Sequence, residues 1–91
     1  MAPSTRLMKS SEAMTTAALA DLLEALAVRV RSGAVTLTSG TESVTLDLPE
    51  QVKVDVEATQ EGRRRGTKME LEIEISWYPG KPISGGGLAL G

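Results

Sequence analysis

Asp55 and Glu57 stand two positions apart in one alternating stretch, and Glu70, Glu72 and Glu74 do the same in another. Carboxylates at that spacing share one face of a β-strand. Such a face has three chemical uses. It could hold a hard divalent cation such as Ca²⁺ or Mg²⁺, dock a basic protein surface, or supply an acid–base pair. A cation site wants oxygen ligands converging from a loop, which flat strands rarely provide. An acid–base pair wants two carboxyls in a cleft with separated pKa values. A basic partner needs only the charged face itself. The structural alternative is a solvated face, partly paired with its own lysines.

Arg63, Arg64 and Arg65 form the second group, between Gly62 and Gly66. Guanidinium forks suit phosphate and carboxylate oxygens. More commonly such a run is a solvated hairpin tip, because exposed charge contributes little by itself. A basic loop beside an acidic face also raises the prospect of head-to-tail self-association.

Other chemistry lacks its residues. The chain has no histidine and no cysteine. The commonest general base, thiolate nucleophiles and the usual transition-metal ligands are therefore missing. Gly85-Gly86-Gly87 is not a phosphate loop, since no Lys-Ser/Thr follows it. A net charge of −2 argues against a nucleic-acid partner, whose affinity rests largely on neutralised phosphates. The expectation is a non-enzyme with no cofactor and no metal.

Two alternating strands have to position these side chains. Met69-Glu70-Leu71-Glu72-Ile73-Glu74-Ile75-Ser76-Trp77 alternates apolar and polar without a break, the mark of a strand with one buried and one wet face. The strand is expected over 68–77. Its partner, over 51–58, turns Val52, Val54 and Val56 inward and Lys53, Asp55 and Glu57 outward. Between them Gln60 to Thr67 reads as a polar loop. Pairing Val56 with Met69 would bring Glu57 to Lys68 and Lys53 to Glu72, leaving Asp55 opposite Glu70. A slip of two would oppose Glu57 to Glu70 and Asp55 to Glu72. Opposed like charges are unfavourable, so the first register is predicted.

Upstream, Val35-Thr36-Leu37-Thr38 and Ser43-Val44-Thr45-Leu46-Asp47-Leu48 alternate around a Ser39-Gly40-Thr41-Glu42 turn signal. They read as a hairpin over 34–39 and 43–48, ended by Pro49, which cannot donate to a ladder. Before them lies a helix over 15–32. Leu19, Leu22, Leu23, Leu26, Ala27 and Val30 make its apolar stripe. Thr15 is preferred to Ser10 as its cap, since a start at Ser10 would place two threonines inside the helix. Gly33 suits the C-terminal cap after Arg29 and Arg31. Val28, on the polar side, is either an isolated exposed residue or part of a dimer contact.

One helix must then cover four strands, each with a single apolar face. The economical fold is α+β, with the helix laid on one face of a four-stranded antiparallel meander, a two-layer sandwich. Trp77 shares parity with Leu71, Ile73 and Ile75 and should plug the core. A half-exposed contact residue is the alternative. Residues 1–14 form an arm, docking near Leu7 and Met8. Residues 15–78 form one domain, and 79–91 a flexible tail rich in glycine and proline.

The chain also resembles the amphi-Trp domain, a family of small bacterial and archaeal proteins. The helix from Met14-Thr15 through Leu23, Leu26-Ala27, Val30 and Gly33 resembles the family's L-x-x-[LIV]-A-x-x-L-x-x-G pattern. Val35-Thr36-Leu37, then Ser43-Val44-Thr45-Leu46-Asp47 with Pro49 following, make the second match. Glu70 to Trp77 is similar to the amphipathic strand and tryptophan of the family's name. Val30 stands where Leu is usual, and Val28 where Asp is common. The resemblance implies a fold from about Leu7 to Trp77. It brings no activity, ligand or site residue with it.

The 91 residues have no Phe and one Trp, so the core is thin and built from aliphatic side chains. No apolar run approaches the ~20 residues of a membrane-spanning helix, and Met1 to Arg6 has no apolar segment behind its charge. The expected protein is cytoplasmic, with no membrane partner. Its expected role is a small interaction or accessory module, working through the acidic face or by self-association as a homodimer. Anion or nucleic-acid binding through Arg63, Arg64 and Arg65 is the alternative.

Overall fold

The computed structural model describes residues 3–80. One helix and four strands follow in the order α1 (Thr16–Ser32), β1 (Ala34–Ser39), β2 (Glu42–Asp47), β3 (Lys53–Arg63) and β4 (Gly66–Ser76). All strand pairing is antiparallel, and the fold is α+β. The expected four-stranded meander is replaced by two separate two-stranded sheets, β1–β2 and β3–β4. The chain divides into two compact units, Met1–Leu48 and Pro49–Gly91. Pro49 removes a ladder donor just after β2, which favours a break there. The expected tail lies outside the described residues from position 81 onward.

In the first unit, Thr15 caps α1. Its Oγ1 accepts from the Ala18 backbone N–H at 3.0 Å, with Thr15 itself extended. The Thr15 carbonyl accepts from Leu19 N–H at 2.9 Å. At the other end Gly33 takes φ 88°, and its N–H donates to the Val30 carbonyl at 3.1 Å. Only glycine adopts that left-handed cap without a Cβ penalty. Arg29 and Arg31 fill the last turn, where the helix dipole favours positive charge.

The cap turns the chain directly into β1, and α1 packs against that strand. Val35 pairs with Leu46 and Leu37 with Val44 on the apolar side. Across the other side Thr36 and Thr45 share a hydroxyl hydrogen bond of 2.9 Å. Leu48 N–H donates to the Gly33 carbonyl at 2.8 Å and ties the end of β2 to the start of β1. Val35 is the one buried apolar residue among those described, at 5% exposure. Leu26, Val44, Leu46 and Leu48 are half-buried. Residues 3–14 carry no helix or strand. Met8 and Met14 line a concavity with Leu22 and Leu37, and Met8 is half-buried while Leu7 is exposed.

The second unit is a single long hairpin. β3 and β4 are 11 residues each, about 37 Å at 3.4 Å per residue. The stretch read as the loop from Gln60 to Thr67 is mostly ladder instead, closed to Arg63↔Gly66 around Arg64-Arg65. Gly66 makes this possible. Arg64 and Arg65 keep negative φ while Gly66 takes φ 122°, the pattern of a tight turn followed by a positive-φ glycine. β4 ends at Ser76, so Trp77 lies one residue beyond the ladder. It is half-buried, not the buried core plug its parity predicts.

Candidate functional site

The tight turn sets the register, and the register differs from the predicted one. Val56 lies opposite Ile73, not Met69, and Val54 opposite Ile75, not Leu71. Consequently Glu57 meets Glu72, Asp55 meets Glu74 and Lys53 meets Ser76. The predicted Glu57–Lys68 and Lys53–Glu72 pairs do not form. Lys68 stands opposite Glu61, and Glu70 opposite Thr59. The physical reason is a balance of small effects. Each like-charge pair costs up to ~1 kcal/mol. Extending the ladder to the turn adds backbone hydrogen bonds of about 0.5–1.5 kcal/mol each. It also sets β-branched Val54 and Val56 against β-branched Ile75 and Ile73, a favourable cross-strand pairing.

Two faces result. The polar face gathers Asp55, Glu57, Glu70, Glu72 and Glu74 along the body of the hairpin. Toward the tip the sign changes, with Arg63, Arg64, Arg65 and Lys68. Charge neutralisation runs along strands, not across them. Lys53 Nζ lies 3.9 Å from Asp55 Oδ1, Lys68 Nζ 3.2 Å from Glu70 Oε1, and Arg63 Nη2 3.0 Å from Glu61 Oε2. All three pairs are solvent-exposed and contribute little to stability.

Glu70 and Glu72 are neighbours on this face and titrate as a pair. A hydrogen bond from Glu72, with help from Lys68, holds the Glu70 carboxyl below its ordinary value. The same hydrogen bond, then the negative charge of Glu70 and more weakly of Glu57 and Glu74, pushes Glu72 up. Of the two, Glu72 is therefore the first to take up a proton as pH falls. The arrangement is an exposed, flat acidic face. Among the described residues, no group of three or more Asp or Glu side chains is gathered closely enough to hold a metal ion.

The opposite face carries Val54, Val56, Ala58, Met69, Leu71, Ile73 and Ile75. All of these but Ala58 are residues expected to be buried under the helix. Among the described residues of its own unit the hairpin is one layer thick, with no second element against this face. Met69 and Leu71 are 69% and 68% exposed, and Ile73 is 56% exposed. The alternation in the sequence identified these side chains, but as core.

At the tip, Arg63, Arg64, Arg65, Gly66, Thr67 and Lys68 line an open concavity of about 570 Å³. A second concavity, about 520 Å³, lies along mid-hairpin between Ala58–Gln60 and Met69–Leu71. No helix among the described residues is long and apolar enough to cross a membrane.

Searches of curated proteins and of solved structures found no match. The family model of the Amphi-Trp domain matches residues 1–90, nearly the full length. The capped helix, the short hairpin and the amphipathic β4 strand running up to Trp77 are the parts that carried the resemblance in the sequence. The chain belongs to the Amphi-Trp domain family.

Proposed function

We propose that this protein is a non-enzymatic interaction module that self-associates through the apolar face of β3–β4. One observation carries the reading: Val54, Val56, Met69, Leu71, Ile73 and Ile75 line one side of a hairpin with no covering layer among the described residues of its unit. An isolated two-stranded hairpin is marginal in water. Contiguous apolar patches of this kind mark interaction surfaces. A second copy supplies the same patch, and a two-fold contact needs nothing else to be complementary. Completing the burial of these half-exposed side chains contributes roughly 1 kcal/mol each. Two copies then gain on the order of 12 kcal/mol, comparable with the ~4–15 kcal/mol lost on association.

Sedimentation equilibrium tests the reading. Wild type should sediment at about twice the 9.6 kDa chain mass, and Leu71→Lys should shift it toward the single-chain mass. A wild-type protein that stays at the single-chain mass up to high micromolar concentration would refute the proposal.

A second reading is favoured by the register. Asp55–Glu74 and Glu57–Glu72 leave the body of the polar face without cross-strand neutralisation, and a basic protein segment would supply it. Capture of such a segment should weaken with salt and disappear in a Glu70→Gln/Glu72→Gln/Glu74→Gln variant. The cysteine-free composition suits a reducing compartment, and the proposal includes a cytoplasmic location.

A further inference from the structure

We propose that the β3–β4 tip is a binding site for a small, multiply charged phosphate anion such as a triphosphate group. The tight turn puts Arg64 and Arg65 at its two central positions. Arg63 and Lys68 flank them, and these four cations line one concavity with Gly66 and Thr67. No carboxylate is among the lining residues. The two flanking cations are each held by a carboxylate. Glu61 holds Arg63 at 3.0 Å and Glu70 holds Lys68 at 3.2 Å. Arg64 and Arg65 make no ion pair among the described residues. Their guanidinium forks are free to take phosphate oxygens two at a time, which a lysine point charge does not do.

The size of the ligand follows from what lies beside the tip. Moving away from the turn, the polar face changes to Glu70, Glu72 and Glu74 on β4 and Glu57 and Asp55 on β3. Glu70 is only four strand positions from Gly66, roughly 14 Å at 3.4 Å per residue. A nucleic acid extending along the hairpin would meet this negative field within about one or two Debye lengths. A compact anion confined to the tip has only Glu61 and Glu70 beside it, each already paired with a lining cation. The concavity, about 570 Å³, falls within the ~300–1,000 Å³ usual for small-molecule sites. The site lies on the turn, and the inference does not depend on self-association through the apolar face.

Isothermal titration with inorganic tripolyphosphate, at 50 and at 300 mM NaCl, tests the proposal. Wild type should bind saturably and more weakly at the higher salt. Arg64→Ala/Arg65→Ala should lose at least tenfold in affinity. Arg64→Lys/Arg65→Lys, which keeps the charge and removes the forks, should fall between the two. Both positions are exposed turn residues, and an unchanged circular dichroism spectrum establishes that the variants keep the fold. Absence of saturable wild-type binding at 50 mM salt overturns the proposal, as does equal affinity in wild type and the alanine variant. A single-stranded oligonucleotide bound as tightly as tripolyphosphate, per molecule, overturns it in favour of an extended polyanion.

Discussion

Glu57 on β3 and Glu72 on β4 are direct cross-strand partners, two carboxylates facing each other on the exposed side of the hairpin. Opposed like charges disfavour a ladder, yet this pair and Asp55–Glu74 occur together. The turn at Arg64-Arg65 imposes both. Replacing one member by a cation should therefore stabilise the hairpin. Glu57→Lys is expected to raise the thermal midpoint by a few degrees, measured by circular dichroism, with no rise in a Glu57→Lys/Glu72→Lys double variant.

Glu70 and Glu72 predict a pH dependence with opposite limbs. The lowered Glu70 pKa gives stability that is present above its ordinary value of 4.5 and lost as pH falls through the folded value. The raised Glu72 pKa acts the other way. Its contribution is greatest below 4.5 and is lost as pH rises through the folded value, when a further negative charge enters the face. Unfolding midpoints from pH 3 to 8 should show the alkaline limb flatten in Glu72→Gln, while Glu70→Gln diminishes both limbs, since Glu70 is the main cause of the raised Glu72 value.

Gly66 sets the register through its φ of 122°. A Cβ there meets no neighbour within 4 Å, so the cost of Gly66→Ala is conformational. It should be about 1–2 kcal/mol, read as a lower denaturation midpoint. Amide exchange should rise in the pairs nearest the turn, Gly62–Thr67 and Glu61–Lys68. Protection that stays unchanged there would mean that the turn does not hold the ladder in place.

The first unit should respond at its cap and at buried Val35. Thr15→Ala removes the acceptor for Ala18 N–H and should cost about 1 kcal/mol. Val35→Ala should cost roughly 1–3 kcal/mol through lost transfer energy and incomplete collapse. Chemical denaturation measures both, and Thr15→Ser should retain most of the cap.

Self-association makes stability depend on concentration. If the apolar face is buried between copies, the wild-type thermal midpoint should rise with protein concentration. In Leu71→Lys it should not. A midpoint independent of concentration over two decades would count against the dimer without requiring any variant to fold.

The sequence by itself determined local structure and face. Thr15 and Gly33 bracket α1 because side-chain and backbone caps act over three or four residues. Alternation assigned Glu70, Glu72 and Glu74 to one side of β4 and Leu71, Ile73 and Ile75 to the other. That assignment survives the corrected register because any slip by an even number of residues preserves the face. The same property hid the register: pairing Val56 with Met69 or with Ile73 gives identical in–out patterns. Only the tertiary structure decided between them, through a two-residue turn whose backbone geometry closes the ladder at Arg63↔Gly66. The grouping of four strands into two sheets was equally out of reach. Alternation records that a face is apolar, and it carries no information about which surface comes to cover it.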